Sequence, residues 1–144
     1  MLQSPRNPSF VSIWFGLFSV IVGTLGCSGS RSDLANVSGV VTLDGQPLPR
    51  ATLVFQPEAN GPASFGLTDE NGQYTMMYNQ GVPGAVIGKH RVKITTFQEG
   101  DRYADPPILR APEILPDRYH GSSDLTAEVL KSKKNQIDFA LFSQ

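Results

Sequence analysis

The chain has 144 residues and a formal net charge of −1, from 12 Lys and Arg against 13 Asp and Glu. Such a length suits one domain of ~100–200 residues, and the near balance of charge argues against nucleic acid, whose phosphates require a clustered basic surface. The 14 glycines and 11 prolines favour an all-β domain with many turns, because both residues interrupt helices.

The N-terminal part of the chain has the layout of a secretory signal. Arg6 precedes the uncharged apolar stretch Phe10–Leu25, and Gly26, Cys27 and a small polar string follow it. A retained transmembrane helix is the alternative. Spanning a bilayer takes ~20 apolar residues, whereas this stretch is shorter and is interrupted by Ser and Gly. The sequence therefore predicts a signal peptide over residues 1–26.

Residues 24–27, Thr-Leu-Gly-Cys, resemble the lipobox of bacterial lipoproteins, in which the cysteine receives a diacylglyceryl group and becomes the first mature residue. Gly26 fits that pattern, while Thr24 stands where an aliphatic residue is usual. The resemblance implies that Cys27 is the lipidation site and that membrane lipid is a partner, on the outer membrane or the periplasmic face of the inner membrane. An incidental cysteine in an ordinary signal is the alternative. Residues 27–36, rich in Ser and Gly at their start, are predicted to be a flexible tether.

The exported domain is predicted to begin with a hairpin. Val37–Leu43 alternates apolar and polar positions and reads as a strand. Asp44–Gly45 is a strong hairpin turn signal. The next strand, Ala51–Gln56, is predicted to bury Leu53 and Phe55.

Further alternating segments predict five more strands, which makes about seven in a domain spanning residues 37–144. These strands are Phe65–Thr68, Gln73–Tyr78, Lys89–Phe97, Leu125–Val129 and Ile137–Leu141. Residues 69–72 read as a turn, since a calcium loop would need a distal Glu and flanking helices. Residues 81–88 are predicted to be a loop. In the strand Lys89–Phe97, Val92 and Ile94 are predicted to face the core while Arg91 and Lys93 face solvent.

A long surface loop is predicted over residues 98–124. Its segment Asp101–Pro116 contains four prolines and little periodicity. Loops of this length are uncommon in compact domains unless they are functional or mobile. The loop is therefore a candidate for the functional part of the domain.

Three segments together resemble the carboxypeptidase regulatory-like, or transthyretin-like, domain of small bacterial lipoproteins. They read VSGVVTLDGQPLPRATLVFQP, GLTDENGQYTM and GKHRVKITT, and the ending NQIDFAL resembles the closing strand of the same lipoproteins. The resemblance implies an antiparallel immunoglobulin-like or transthyretin-like β-sandwich with an accessory, non-catalytic role. Two positions depart from the pattern: Arg50 stands where Gly is common, and His90 stands where Tyr is usual.

The sequence offers little catalytic or metal-binding chemistry. His90 and His120 are too few for a zinc site, since Cys27 is assigned to the lipid. His120 lies just before residues 122–124, Ser-Ser-Asp, but no Gly-x-Ser-x-Gly motif is present, and neighbours on one loop seldom supply triad geometry. We therefore predict no enzyme activity, no cofactor and no metal.

Two function hypotheses follow. The first is an interaction or structural module that offers a sheet edge or the 98–124 loop to another envelope protein. The second is a carbohydrate-binding accessory module in which Tyr103 and Tyr119 stack on sugar rings, with His120 as a neighbouring ligand-binding residue. An independent hydrolase is a third alternative.

Overall fold

The computed structural model describes residues 33–79, 81–131 and 134–144. Within those ranges the chain forms thirteen strands, several of only two residues, where the sequence predicts about seven; one 3-10 turn, Asp117–Tyr119, is present and no α-helix. The strands are β1 (Leu34–Ala35), β2 (Val37–Leu43), β3 (Gln46–Pro47), β4 (Thr52–Pro57), β5 (Ser64–Leu67), β6 (Gln73–Thr75), β7 (Met77–Tyr78), β8 (Val82–Pro83), β9 (Ala85–Val86), β10 (Gly88–Thr95), β11 (Thr126–Val129), β12 (Asn135–Gln136) and β13 (Phe139–Leu141).

The predicted signal peptide, Cys27 and the first part of the predicted tether lie outside the described residues. In the part of the chain that the structure describes, no helix has the length and apolar character that crossing a membrane requires.

The larger sheet is antiparallel, in the order β11-β10-β4-β5-β7-β8. Its longest strand, β10, pairs with β4 from His90 opposite Pro57 to Thr95 opposite Thr52. Along β10 the predicted alternation is confirmed. Val92 and Ile94 are fully buried, and the neighbouring basic side chains, Arg91 and Lys93, are exposed.

The second sheet is built around β2. Its strand β2 pairs antiparallel with β3 and β6 along one edge, and in parallel with β12 and β13 along the other. These two parallel pairings differ from the all-antiparallel sandwich expected from the sequence. The chain crosses from β11 in the larger sheet before it pairs with β2, and such a crossover permits a parallel partner where a tight hairpin would not.

The two sheets face each other across one core, which makes the fold all-β and β-sandwich-like, as predicted. Phe55 of β4 meets Phe139 of β13 edge-on, with ring centroids 6.1 Å apart and an angle of 85° between the planes. Tyr74 of β6 adds a third ring 6.4 Å from Phe139. Leu53 and Phe55 are both fully buried, as their alternation in the sequence predicts.

The segment 81–88 contains two short strands where the sequence predicts a loop. Its strand β9 pairs with β1, with Leu34 opposite Val86 and Ala35 opposite Ala85. Two-residue strands are too short to show a period of two, so sequence alternation does not detect them. These two strands form a small sheet of their own, so strand pairing begins three residues before the predicted domain boundary at Val37.

Asp44 and Gly45 form the predicted two-residue turn between β2 and β3. Their φ angles are 50° and 80°, and Leu43 lies opposite Gln46. Positive φ at both central residues is what a type I′ hairpin turn requires, so the predicted turn is confirmed. The predicted hairpin between Val37–Leu43 and Ala51–Gln56 is wrong, because β2 turns back onto β3 while β4 lies in the larger sheet between β10 and β5. Asp44 Oδ1 also accepts a hydrogen bond from the backbone N–H of Ser143 at 3.1 Å.

His90 is a core residue with 1% exposure, packed 5.7 Å from the Phe55 ring. Its Nδ1 lies 3.0 Å from the Gly88 carbonyl oxygen, and its buried Nε2 has no hydrogen-bond partner among the described residues. Burial lowers the pKa of His90 and outweighs the opposing effects of Gly88 and Glu58. The ring is therefore neutral at pH 7 and serves as packing.

Candidate functional site

Residues 97–114 form an arm that leaves the larger sheet just after β10. Gln98 and Ala111 exchange both backbone hydrogen bonds at 3.0 Å, and Asp101 and Ile108 exchange theirs at 2.9 and 2.8 Å. The two bridges are isolated and antiparallel, and they share one register, since each step forward from Gln98 to Asp101 is matched by a step back from Ala111 to Ile108. Over residues 98–111, the predicted loop is thus a hairpin with a fixed register.

The two sides of the arm are held close together at Gly100. A Cβ atom at this position would lie 2.9 Å from the backbone nitrogen of Arg110 and 3.1 Å from its Cβ. Contacts this short are tighter than packing normally allows, so a side chain at position 100 would push the hairpin apart.

At the tip of the arm, Tyr103 presents its ring to solvent. The side chain is 90% exposed, while its backbone N–H donates to Asp101 Oδ1 at 2.9 Å. This Asx-type contact fixes the direction in which the chain leaves the hairpin. The ring is therefore exposed on a defined turn.

At the base of the arm, the carboxylate of Glu113 binds the end of β10. It accepts hydrogen bonds from both hydroxyls of Thr95 and Thr96, the latter at 2.6 Å, and from the backbone N–H groups of Thr96 at 3.1 Å and Leu115 at 2.9 Å. The Ile114 N–H donates in turn to the Thr96 hydroxyl at 2.9 Å. We call this cluster the Glu113 latch.

The hydrogen bonds of the Glu113 latch favour the ionised form of the carboxylate and so change its pKa. Burial alone would raise that pKa, but the hydrogen bonds from Thr95, Thr96 and Leu115 lower it to about 2. Charge-assisted hydrogen bonds of this kind are roughly twice as strong as neutral ones. The Glu113 carboxylate is therefore ionised at neutral pH and can accept all of these hydrogen bonds.

Arg50 gives the arm a second attachment. Its Nη2 donates to Gln98 Oε1 at 3.0 Å, and its backbone has φ of 58°, in the left-handed region. Such a conformation is unfavourable for a side-chain-bearing residue. Position 50 thus carries a cation that reaches the arm.

Exposed apolar side chains are concentrated on the arm. They are Phe97 (47% exposed), Tyr103 (90%), Ile108 (40%), Leu109 (69%) and Ile114 (56%). Together with Arg102 and Arg110, several of them line an open groove of about 400 Å³. Aromatic residues and arginine are enriched in protein interfaces, where they provide most of the binding energy.

The three residues predicted to bind a ligand lie on two different parts of the domain. Tyr103 is at the tip of the arm, but Tyr119 lies on the 3-10 turn with 8% exposure, and its hydroxyl accepts the Phe142 N–H at 3.1 Å. Because the Tyr119 ring is buried, it is not available to stack on a sugar together with Tyr103, as the sequence predicts. His120 has Nε2 3.1 Å from the Leu115 carbonyl oxygen and Nδ1 3.7 Å from Asp117 Oδ1, so it organises the turn.

The residues considered for a serine triad have structural partners. The Ser123 hydroxyl is buried and donates to the Val92 carbonyl oxygen at 2.5 Å, while His120 contacts Leu115 and Asp117. In the described ranges, no three His, Cys, Asp or Glu side chains come together as metal ligands.

The sequence singles out the 98–124 loop as a candidate but not the residues that shape it. Glu113, Arg50 and Gly100 act through contacts that are distant in the chain, and those contacts leave no local pattern. The feature of the sequence that could have indicated this surface is its composition. Phe97, Ile108, Leu109 and Ile114 are large apolar residues in a segment with no period, which is typical of an exposed apolar surface.

The fold and the arm define an all-β, β-sandwich-like domain that presents a bridged hairpin at one end. No family model matches the chain, and comparison with curated proteins finds no match. Among solved structures, the chain is similar to a 9R-lipoxygenase from Cyanothece PCC8801, with 16% identity and a TM-score of 0.39. That similarity covers 76% of this chain and 16% of the lipoxygenase chain.

Proposed function

We propose that this chain is an exported, lipid-anchored and non-catalytic module of the bacterial envelope, and that its arm docks onto another envelope protein. The observation that carries the proposal is the grouping of exposed apolar side chains and two arginines on a hairpin of fixed register. A rigid binding element loses little conformational freedom when it docks, so more of its contact energy contributes to affinity.

The attachment of the arm supports the same proposal. The Glu113 latch and the Arg50–Gln98 hydrogen bond hold the base of the hairpin against the end of β10 and the start of β4. A solvated loop without a function needs no such charge-assisted support. The resemblance of residues 37–97 to accessory carboxypeptidase regulatory-like domains, and the Thr-Leu-Gly-Cys run before the domain, agree with an anchored accessory role.

A carbohydrate-binding role is the second candidate, and the ring of Tyr103 favours it. An aromatic face that is 90% exposed on an ordered turn is a platform on which a sugar ring can stack. With Tyr119 in the core, such a site would depend on Tyr103 and the neighbouring arginines.

The test places a photo-crosslinking phenylalanine analogue at position 103 in the full chain, in cells that produce the protein naturally. The matched control carries the same analogue at Glu70, an exposed residue of the turn between β5 and β6. We expect discrete protein adducts from position 103 and none of them from position 70. Leu109→Ser should reduce the adduct yield about tenfold, as loss of an interface hot spot does, whereas Phe65→Ser on the outer sheet face should leave it unchanged.

Two results would reject docking through the arm. One is the same adducts from both positions, and the other is a yield that Leu109→Ser does not change. Retardation of the protein in polysaccharide gels, abolished by Tyr103→Ala and without any protein adduct, would establish the carbohydrate-binding role instead.

A further inference from the structure

Strand β11 forms one edge of the larger sheet. It pairs with β10 on one side, and among the described residues no strand pairs with its other side. Proteins commonly protect such edges with proline or with charges that face inward. At the opposite edge of the sheet, β8 contains Pro83, which has no backbone N–H to offer a further strand. Strand β11 contains neither device, since its inward residues are the buried Ala127 and Val129.

The backbone groups of Thr126 and Glu128 point to this open edge. The Val92 N–H donates to the Leu125 carbonyl oxygen at 2.8 Å, and the residues that bond a given neighbour recur at every second position of an antiparallel strand. Ala127 is therefore the next residue of β11 that bonds β10. Thr126 and Glu128 direct their N–H and C=O groups away from β10.

Two copies of β11 can pair antiparallel about a two-fold axis that passes between their Ala127 residues. In this register Thr126 of each copy lies opposite Glu128 of the other, so the outward groups of both residues meet in four backbone hydrogen bonds. On the core-facing side, Leu125 of one copy lies opposite Val129 of the second copy, and both residues belong to the apolar core. The open edge is thus complementary to itself.

The acidic side chains on the outer face select this register. A shift of the axis by one residue toward the C-terminus would place Glu128 opposite Glu128 of the second copy. A shift by one residue toward the N-terminus would place Glu128 opposite Asp124. Like charges that lie directly opposite each other destabilise a sheet, so the axis at Ala127 is favoured over both.

Charges also alternate across the junction between the two copies. All the side chains of the row that crosses it are exposed on the outer face. In spatial order the row consists of Glu58, Lys89 and Glu128 of one copy, followed by Thr126, Arg91 and Gln56 of the second copy. Its sequence of charges is negative, positive, negative, neutral, positive and neutral, so no two like charges are neighbours in it.

We propose that this protein forms a homodimer in which two β11 strands pair edge to edge, so that the larger sheets of the two copies become one continuous sheet. Extended strands commonly add to an open sheet edge through main-chain hydrogen bonds. The interface is separate from the arm, and it requires neither the lipid anchor nor the docking of the arm.

The test is chemical crosslinking of the full chain in cells that produce it. One copy carries Thr126→Cys, and a differently tagged copy carries Glu128→Cys. Residues directly opposite each other have Cβ atoms ~5 Å apart, so a short thiol crosslinker should yield about tenfold more mixed adduct than Lys93→Cys placed in both copies. Lys93 is the matched control, because it is exposed on the same outer face but lies on β10, away from the edge. The unsubstituted chain, whose one cysteine is Cys27, controls for reaction at that thiol.

Amide hydrogen exchange of the purified full chain gives a second measurement. The amides of Thr126 and Glu128 should exchange about tenfold more slowly at high protein concentration than at low concentration, because their N–H groups gain partners in the dimer. The amides of Ala127, which bonds β10 in either state, and of the exposed Glu70 should not respond to concentration.

Two results would overturn the homodimer. One is a mixed adduct no more abundant than that from the Lys93→Cys control, and the other is exchange at Thr126 and Glu128 that does not depend on protein concentration. Either result leaves the proposed function of the arm standing, because neither measurement involves residues of the arm.

Discussion

Gly39 of β2 shows how a single residue sets the distance between two strands. A Cβ atom there would lie 1.9 Å from the carbonyl oxygen of Ile137 and 3.0 Å from the Tyr74 ring. That carbonyl oxygen accepts the Tyr74 hydroxyl at 2.5 Å, and the Ile137 N–H donates to the Ser38 carbonyl oxygen at 2.9 Å. Backbone atoms cannot move aside as a flexible side chain does.

We expect Gly39→Ala to lower the free energy of unfolding by about 3 kcal/mol, because the added methyl group forces β2 away from residue 137. Chemical denaturation measures this change. Gly61→Ala is the matched control, since the nearest atom to a Cβ at Gly61 is 3.5 Å away. Equal effects of the two substitutions would show that the close approach at Gly39 does not limit stability.

The role of a residue could be predicted from the sequence when that role depends on its immediate neighbours in the chain. Asp44 and Gly45 were predicted as a turn because φ preference is a property of the residues themselves. The burial of Tyr119 was missed because its partner, Phe142, lies far along the chain. An aromatic residue in a polar, proline-containing segment gives no local sign of whether its ring is buried.

At the scale of elements, the Glu113 latch joins the arm to β10 through a titratable group. The pKa of Glu113 is about 2 in the folded protein, below its ordinary value of 4.5. A carboxylate with a lowered pKa contributes stability above its unfolded pKa and loses that contribution as the pH falls through its folded pKa. The arm should therefore loosen between about pH 4.5 and pH 2.

We expect Glu113→Gln to destabilise the arm by about 1–3 kcal/mol, because the Thr95 and Thr96 groups lose a charged acceptor. Amide hydrogen exchange at Gln98 and Ala111 measures the opening of the hairpin. Exchange should be faster in the variant, and the acid-dependent increase in wild-type exchange should be absent from it. Glu99→Gln, a change of an exposed carboxylate on the same arm, should leave both properties unchanged; an equal effect would exclude the latch.

Strands in which apolar and polar residues alternate regularly were predictable from the sequence, and elements without this alternation were not. The alternation in β4 and β10 identified their buried faces, because each is long enough to show the period of two. The arm has two bridges separated by unpaired residues, so its hairpin leaves no period in the sequence. The parallel pairing of β13 depends on the path of the chain between sheets, which composition does not encode.

At the scale of the whole molecule, the sequence also makes a prediction about attachment. Cys27→Ser should release the protein from the membrane fraction, because one thiol carries all of the proposed acyl chains. Fractionation of cells and the intact mass of the mature protein measure the change. A serine variant that stays with the membranes would show that an uncleaved apolar segment is the anchor instead.

The position of β2 has a mechanical consequence. Strand β2 lies close to the N-terminal segment that the proposed anchor would hold, and it is paired on both edges, with β3 and β6 on one and β12 and β13 on the other. A pull along β2, between the proposed anchor and a proposed partner, would load the hydrogen bonds on both edges of this strand together in shear. The pairing that completes the core would then let the domain bear tension without unravelling.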